Sequence, residues 1–205
     1  MAELILIRHG KTAGNLLGRY IGSRTDEPLC DEGREGLAGK QLPEVERLYV
    51  SPMKRCVETA EILWPGFDRK KMQKVTDLRE CDFGDFENKN YKELSGNGDY
   101  QAWIDSNGTL PFPNGESMDA FKSRCLEAFA RIVEAVSGAE QEWIASGKTG
   151  IFRAGIVVHG GTIMAILEQY GYPKAAYFDY QVKNGCGYRL TPVEGTRLWN
   201  CLCLQ

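Results

Sequence analysis

Short apolar runs separated by helical patterns are the main feature of the chain. Three of these runs, at 3–7, 47–52 and 155–159, lack the polar–apolar alternation of a half-buried strand. Each therefore predicts a strand buried on both faces, as in a parallel sheet. Further strands are predicted at 73–80, 185–193 and 196–204, the last two as a terminal pair.

Helical periodicity fills the intervals between these strands. Residues 53–63 predict a helix that ends at the Trp-Pro-Gly sequence 64–66. From 116 to 136 apolar residues recur at steps of three and four, which predicts a long amphipathic helix, and 163–170 predicts another. The segment 137–154 is either a cover over the site or a continued helix and turn.

The middle of the chain, 82–115, is rich in Gly, Asn, Asp and aromatic residues, and short helical pieces are predicted at 90–94 and 99–104. Alternating strands and helices predict an α/β fold with three layers: a mostly parallel central sheet with helices on both faces. We expect one domain over 1–205, with 82–115 as a helical insertion over the strand ends. The aromatic residues of that insertion are predicted to form its small core rather than a floor for a ring-bearing ligand: Phe83, Phe86, Tyr91, Tyr100 and Trp103.

Composition narrows the possible functions. The net charge of −3 over 205 residues gives no reason to expect nucleic-acid or membrane-surface binding. No stretch approaches the ~18 apolar residues of a membrane span, and the short first apolar run is unlike a signal peptide. Seven scattered cysteines without a Cys-x-x-Cys pair, and only two histidines, predict free thiols in a reducing cytoplasm and no metal site.

Two Gly-Lys-Thr triplets suggest a nucleotide-binding P-loop, but their spacing excludes it. A P-loop requires a glycine five positions before the glycine that precedes its lysine. For the triplet 10–12 that position is Ile5, and for the triplet 147–149 it is Glu142. Neither triplet predicts an NTPase.

Chemistry-bearing residues stand at the ends of three predicted strands, where open α/β sheets place their ligands. The first strand ends at Arg8-His9-Gly10, the second is followed by Arg55 in the next helix, and the third ends at His159-Gly160. If the strands are neighbours, both histidines of the chain meet two arginines. Arginine forks match the oxygens of a phosphate.

A histidine facing that phosphate can act as a nucleophile, because nearby cations keep its ring neutral. The other histidine, if protonated, can stabilise charge on the phosphoryl group. Asn15 and the amides after Gly10 are candidate neutral donors. The departing alkoxide needs an acid, and Glu80 is weakly preferred as the carboxylate nearest a strand end; the other candidates are Asp82, Asp85 and Glu87. Taken singly, each of these acids is interpreted first as a solvated loop carboxylate.

Taken in order, six segments resemble the histidine phosphatases, or phosphoglycerate-mutase-like superfamily. They are LILIRHGKTAGN, GRYIGSRTDEPLCDEGREGLAG, YVSPMKRCVETAEIL, LRECDFGDFE, NGESMDAF and IVVHGGTIMAIL. The likeness covers most of residues 3 to 190. Within the superfamily the pattern is most similar to small bacterial phosphatases of the α-ribazole or broad-specificity type.

The resemblance implies a role for each matching residue. His9 would be phosphorylated, Glu80 would protonate the leaving group and later activate water, and Arg8, Arg55 and His159 would hold the phosphoryl oxygens. Asn15, Gly22 and Gly160 complete the expected phosphate-binding positions. No cofactor and no metal would be needed, since arginines supply the positive charge. The partner would be a small phosphomonoester, and the protein a cytoplasmic monomer or homodimer.

Departures from the family pattern bear on specificity. Lys11 stands where an acidic residue is frequent, Ala13-Gly14 replaces bulkier residues, and 86–94 lacks a common glycine. Lys11 is interpreted as a surface residue rather than a phosphate ligand. The segment 81–108 has only two lysines and no arginine, which favours a phosphatase, with α-ribazole phosphate as a candidate substrate, over a phosphoglycerate-type mutase. A catalytically silent phospho-ligand binding module is the alternative of a different class.

Overall fold

A computed structural model describes residues 2–205 and contains a seven-stranded sheet in the order β3-β2-β4-β1-β6-β7-β5. Its strands are β1 Glu3–Arg8, β2 Arg47–Val50, β3 Gln73–Lys74, β4 Arg153–Val158, β5 Gly171–Tyr172, β6 Gly187–Pro192 and β7 Trp199–Leu204. Four of the six pairings are parallel, and β6 is antiparallel to both β1 and β7. The predicted α/β fold with a mostly parallel sheet and a terminal strand pair is confirmed.

Helices cover both faces of this sheet. They are α1 Ala13–Leu16, α2 Asp31–Glu35, α3 Lys54–Leu63, α4 Gly98–Asp105, α5 Met118–Ala145 and α6 Gly160–Tyr170. Alternate residues of β1 serve the two layers: Leu4 and Leu6 pack with α5 and α6, whereas Ile5 and Ile7 pack with α3. The central strand is buried on both sides, which explains its lack of polar alternation.

Two details correct the sequence-based expectations. Residues 91–94 form turns instead of a helical piece, although the Asn90 side chain accepts from the amides of Lys92 and Glu93 as a helix N-cap would. The predicted strand 73–80 shrinks to two residues, followed by a 3₁₀ turn at Thr76–Leu78. The segment 137–154 is resolved as a helix extension to Ala145 and a short connection into β4, rather than a cover.

The insertion has a core of its own. Aromatic rings pack mainly edge to face with centroids 5.0–6.5 Å apart, and these rings belong to Tyr20, Phe83, Phe86, Tyr100, Trp103 and Phe112. Only Tyr91 among the predicted aromatic set is largely exposed. The expectation of a small aromatic core is therefore confirmed for the other four, while the domain boundaries stay predictions.

The strand ends meet at one edge of the sheet. Arg8 pairs with Val158 across β1 and β4, and Val50 pairs with Val157 across β2 and β4. The residues that follow these strands therefore emerge side by side. Among residues 2–205, no helix has the length and apolar character needed to cross a membrane.

Candidate active site

Five predicted residues converge at this edge and are withdrawn from water. His159 and Arg55 are fully buried, His9 and Glu80 retain 4% and 8% of their exposure, and Arg8 is partly buried. Buried charged groups persist only where partners compensate them. The hydrogen bonds of each of these side chains therefore indicate the role for which it is positioned.

His9 has one ring nitrogen committed and one available. Its backbone N–H donates to the Val158 carbonyl at 2.9 Å, fixing the residue against β4. Its Nδ1 lies 2.7 Å from the Gly10 carbonyl, which can only accept, so Nδ1 carries the proton. The lone pair is then on Nε2, the nitrogen needed for nucleophilic attack. The Gly10 amide donates to Thr59 Oγ1 at 2.9 Å and steadies the loop.

His159 is held on the other side of the pocket. Its ring centroid lies 5.2 Å from that of His9, at an interplanar angle of 66°. Ser51 Oγ lies 2.8 Å from Nε2, and Arg55 Nε donates to Nδ1 at 3.4 Å. Because Nδ1 accepts, Nε2 carries the proton and donates to Ser51. Both nitrogens are engaged, so His159 must turn away from Ser51 or Arg55 to reach a phosphoryl oxygen.

The two arginines are fixed by carbonyl groups. Arg55 donates to Thr25 O at 2.8 Å and Gly22 O at 3.0 Å, which ties α3 to the loop after α1. Arg8 Nη1 donates to Val182 O at 2.7 Å, whereas its buried Nε has no partner. A Cβ on Gly160 would lie 3.4 Å from Arg8 Cζ, so the guanidinium rests against the start of α6. A helix N-terminus beside an unpartnered guanidinium N–H favours an anion.

Glu80 lies beside the same helix start. Its Oε1 accepts from the Cys81 amide at 2.9 Å, and a Cβ on Gly161 would come within 2.8 Å of that oxygen. The other acids of the segment are used elsewhere. Asp82 pairs with Arg24 and Asp85 accepts from Asn114. Glu87 accepts from the Gly22 amide through Oε1 and from the Phe83 amide through Oε2.

Asn15 and Asn184 are bonded to each other at the rim. Asn15 Oδ1 accepts from Asn184 Nδ2 at 3.1 Å and from the Thr12 amide at 3.2 Å, which leaves its Nδ2 to face a ligand. Asn184 Nδ2 also donates to the His9 carbonyl at 3.1 Å. Asn184 was missed by sequence reasoning; a polar residue just before a predicted strand that pairs with β1 was the available signal.

Gly22 is placed differently from the expectation, whereas Lys11 is not. The Gly22 amide already donates to Glu87 Oε1 at 3.0 Å and its carbonyl holds Arg55, so its contacts support the arginine instead of offering a free phosphate donor. A side chain there would collide with Phe83 and Glu87, which explains the glycine. Lys11 is exposed and pairs with Glu32, a surface position as interpreted.

Burial and charge shift the protonation of the three central groups. Burial lowers the pKa of His9 well below the ordinary 6.5, and Arg55 and Arg8 lower it further. The pKa of His159 is lowered well below 6.5 by burial and by Arg55 and His9. Burial raises the pKa of Glu80, although the Cys81 amide and both arginines oppose the change. The pocket therefore combines neutral imidazoles with a carboxyl that retains its proton at higher pH than usual.

No group of three or more His, Cys, Asp or Glu side chains within residues 2–205 is arranged to hold a metal ion. The positive charge of the pocket comes from Arg8 and Arg55. A sheet edge with this charge, neutral imidazoles and a carboxyl of raised pKa defines a class of protein that handles a small anion and can transfer a proton to it.

The sequence matches the family described as the histidine phosphatase superfamily (branch 1) over residues 4–203. The chain belongs to this superfamily and is an enzyme of its phosphatase class. It is 30% identical to phosphoglycerate mutase-like protein 4 of Arabidopsis thaliana over 82% of this chain and 70% of that protein. It is 28% identical to an adenosylcobalamin/α-ribazole phosphatase of Salmonella typhimurium over 94% and 92% of the two chains.

Solved structures share the fold. A putative α-ribazole-5′-P phosphatase of Escherichia coli superposes with a TM-score of 0.78 at 22% identity, covering 100% of this chain and 96% of that one. A phosphoglycerate mutase of Thermus thermophilus gives a TM-score of 0.66 at 27% identity over 99% and 98%. The resemblance inferred from the sequence motifs is confirmed.

Proposed function

We propose that the protein is a metal-independent phosphomonoesterase that works through a phosphohistidine at His9 on a small phosphorylated metabolite. The observation that supports this best is the His9 ring: Nδ1 is tied to the Gly10 carbonyl, so the unprotonated Nε2 is the nitrogen left for a phosphorus atom. The lowered pKa of His9 keeps that nitrogen unprotonated in mild acid.

In the first step of this proposal, His9 Nε2 attacks phosphorus in line with the ester oxygen. A P–N bond forms, the P–O ester bond breaks, and the departing oxygen takes the proton of the Glu80 carboxyl. Arg8 and Arg55 neutralise the equatorial oxygens, assisted by the amides at the start of α6 and by Asn15. His159 joins them after its ring releases Ser51 or Arg55.

In the second step, water replaces the leaving alcohol. Glu80, now ionised, takes a proton from the water as its oxygen attacks phosphorus, the P–N bond breaks, and inorganic phosphate leaves. The raised pKa of Glu80 suits both roles, because it makes the carboxyl more readily protonated before the first step and the carboxylate a stronger base in the second.

Two relatives each suggest a substrate to test. The Salmonella relative is an α-ribazole phosphatase by name and aligns with nearly the whole of this chain, so α-ribazole phosphate is the first substrate to test. Metal-independent phosphoserine phosphatase of Arabidopsis thaliana, 28% identical over 81% of this chain, makes phosphoserine the second. The cytoplasmic location and the monomer or homodimer stay predictions.

The test is phosphate release from a panel of esters in the presence of EDTA, with native enzyme and His9→Ala. The panel holds α-ribazole phosphate, phosphoserine, 3-phosphoglycerate, sugar phosphates and nucleotides. We expect turnover on at least one ester by the native enzyme and a loss of about 10³-fold or more in His9→Ala, the order found when a nucleophile is removed. Lys11→Ala, a surface change on the same loop, is the control and should keep native activity.

The intermediate is tested separately by quenching the native enzyme during turnover of ³²P-labelled ester. Label that is stable in base and lost in acid identifies a phosphoramidate, and it should be absent from His9→Ala. Transfer of label between two positions of phosphoglycerate without phosphate release would replace the phosphatase by a mutase. Tight binding of esters with neither label nor turnover would favour the silent binding module.

A further inference from the structure

Behind the candidate acid lies a partly buried ion pair between Glu116 and Arg124. Arg124 Nε donates to Glu116 Oε1 at 2.7 Å and Nη2 donates to Oε2 at 2.8 Å, a bidentate geometry. The two side chains are only 13% and 14% exposed. Glu116 lies just before α5 and Arg124 is in its second turn.

The remaining donors of Arg124 all point at the segment that bears Glu80. Nη1 donates to the carbonyls of Asp77 and Arg79, both at 2.7 Å, and Nη2 donates to the carbonyl of Glu80 at 3.0 Å. A guanidinium has five N–H groups, and here five acceptors receive them.

Glu116 holds the same segment from its far side. The backbone N–H of Glu116 donates to the Asp82 carbonyl at 2.9 Å, and the Asp82 amide donates to Glu116 Oε2 at 3.4 Å. Residues 79–83 belong to no helix or strand. Their carbonyls lack the regular ladder that fixes backbone elsewhere, so this pair supplies the missing bonds.

Fixing the Glu80 main chain also fixes its carboxyl group. The side chain is anchored at its head by the Cys81 amide and is confined by Gly161 and the start of α6. A displacement of the Glu80 carbonyl moves the carboxyl by a similar amount, and about 1 Å of misplacement is enough to impair a catalytic group.

We propose that Arg124, set by Glu116, is a positioning residue that holds the Glu80 carboxyl where it can protonate the leaving group. This inference rests on the proposed function, in which Glu80 is the proton donor. The efficiency with which Glu80 donates its proton then depends on the Glu116–Arg124 pair, which contacts no substrate. Lysine cannot replace Arg124, because three donors on a flexible stem cannot meet five fixed acceptors.

The experiment compares esters that differ only in their need for a proton. p-Nitrophenolate departs as a stable anion, phenolate needs some assistance, and ethoxide needs a full proton. kcat/KM is measured for p-nitrophenyl, phenyl and ethyl phosphate, since this parameter covers only the steps up to departure of the leaving group. The proteins are native, Arg124→Met, Arg124→Lys, Glu116→Gln and, as calibration, Glu80→Gln.

The matched control is Arg153→Met. Arg153 is also a half-buried arginine that bonds a glutamate, Glu3 at 2.8 Å, but it lies at the opposite end of the sheet. Arg153→Met therefore shows how the loss of an arginine–glutamate pair affects stability without disturbing Glu80.

In Arg124→Met we expect kcat/KM for ethyl phosphate to fall by about 10- to 100-fold while that for p-nitrophenyl phosphate stays within about threefold, within the range of general-acid contributions. Arg124→Lys should restore little, Glu116→Gln should give a weaker form of the same pattern, and Arg153→Met should change the three esters equally or not at all. Glu80→Gln should show the same ester dependence in larger measure.

An equal fall for all three esters in Arg124→Met, or no fall, would overturn the positioning role, and Glu116→Gln decides the matter if Arg124→Met does not fold. A native enzyme that hydrolyses none of the esters would overturn the proposed function and this inference with it. A native enzyme that hydrolyses them with no ester dependence in Glu80→Gln would remove Glu80 as the donor while leaving the His9 chemistry standing.

Discussion

At the scale of single residues, the site depends on side chains whose charge state is set by burial. The chain has two histidines, and both are buried in the pocket with a lowered pKa, while Glu80 beside them has a raised pKa. In water at neutral pH a glutamate is ionised and a histidine is partly charged. The pocket shifts both equilibria in the other direction, toward neutral imidazoles and a protonated carboxyl, which suits the proposed transfer of a phosphoryl group to nitrogen.

Gly161 leaves space for the Glu80 carboxyl because it has no side chain. In Gly161→Ala the new Cβ would lie 2.8 Å from Glu80 Oε1 and 3.1 Å from Phe121 Cζ, so the carboxyl must shift. We expect activity on alkyl esters to fall by about 10-fold or more, because a displaced donor loses its alignment. Steady-state kinetics with ethyl and p-nitrophenyl phosphate check this; unchanged kinetics on both would show that the Glu80 carboxyl is not confined by α6.

At the scale of elements, the hydrophobic pattern determined most of what could be predicted. The buried strands β1, β2 and β4 and the long helix α5 follow from runs and periods of apolar residues, because burial selects those side chains. The turns at 91–94 could not be predicted, since Asn90 makes the side-chain bonds of a helix N-cap there although no helix follows. The role of Arg124 could not be predicted either, since three of its five acceptors are main-chain carbonyls, which every residue possesses.

The same reasoning separates the parts of the site. Arg8, His9 and His159 were predictable because they directly follow apolar strands, whereas Asn184 and Ser51 act through contacts that depend on the register of distant strands. Sequence identifies chemistry at strand ends; it does not identify which backbone groups a side chain will meet after folding.

Helix α5 contains a position where stability can be raised without touching the site. Gly138 is exposed in its interior, and a Cβ there meets nothing within 4 Å. Gly138→Ala should raise the free energy of unfolding by about 0.5–1 kcal/mol, because alanine loses less backbone entropy in a helix. Urea denaturation measures this, with kcat/KM as the control that should not change; a destabilised variant would mean that α5 is not regular helix at this point.

At the scale of the whole molecule, the buried site makes stability depend on pH. The folded protein holds His9 and His159 neutral, whereas the unfolded chain binds a proton on each near the ordinary 6.5. The unfolded state therefore binds more protons below that pH, and the free energy of unfolding rises with pH. Glu80 has the opposite sign, because its raised pKa lets the folded state bind the extra proton.

Thermal and urea unfolding between pH 7.5 and 5.5 should show stability falling as the pH is lowered, by up to about 1.4 kcal/mol per pH unit for each histidine. The chain has no other histidine, so the pH dependence of stability between pH 7.5 and 5.5 comes mainly from His9 and His159. Glu80→Gln removes the opposing contribution, so its slope should be steeper than that of the native protein. A flat or inverted slope in Glu80→Gln would contradict the lowered histidine pKa values.

The antiparallel direction of β6 has a consequence for when the pocket forms during folding. Because β6 runs against β1, its beginning lies at the catalytic edge, and Asn184, which precedes it, reaches back to the His9 carbonyl. The pocket thus joins the eighth residue to the 184th. The bond between Asn184 and the His9 carbonyl spans 175 positions of the chain. Closing so long a loop costs entropy before any contact compensates it, so the pocket forms only once β6 has docked against β1.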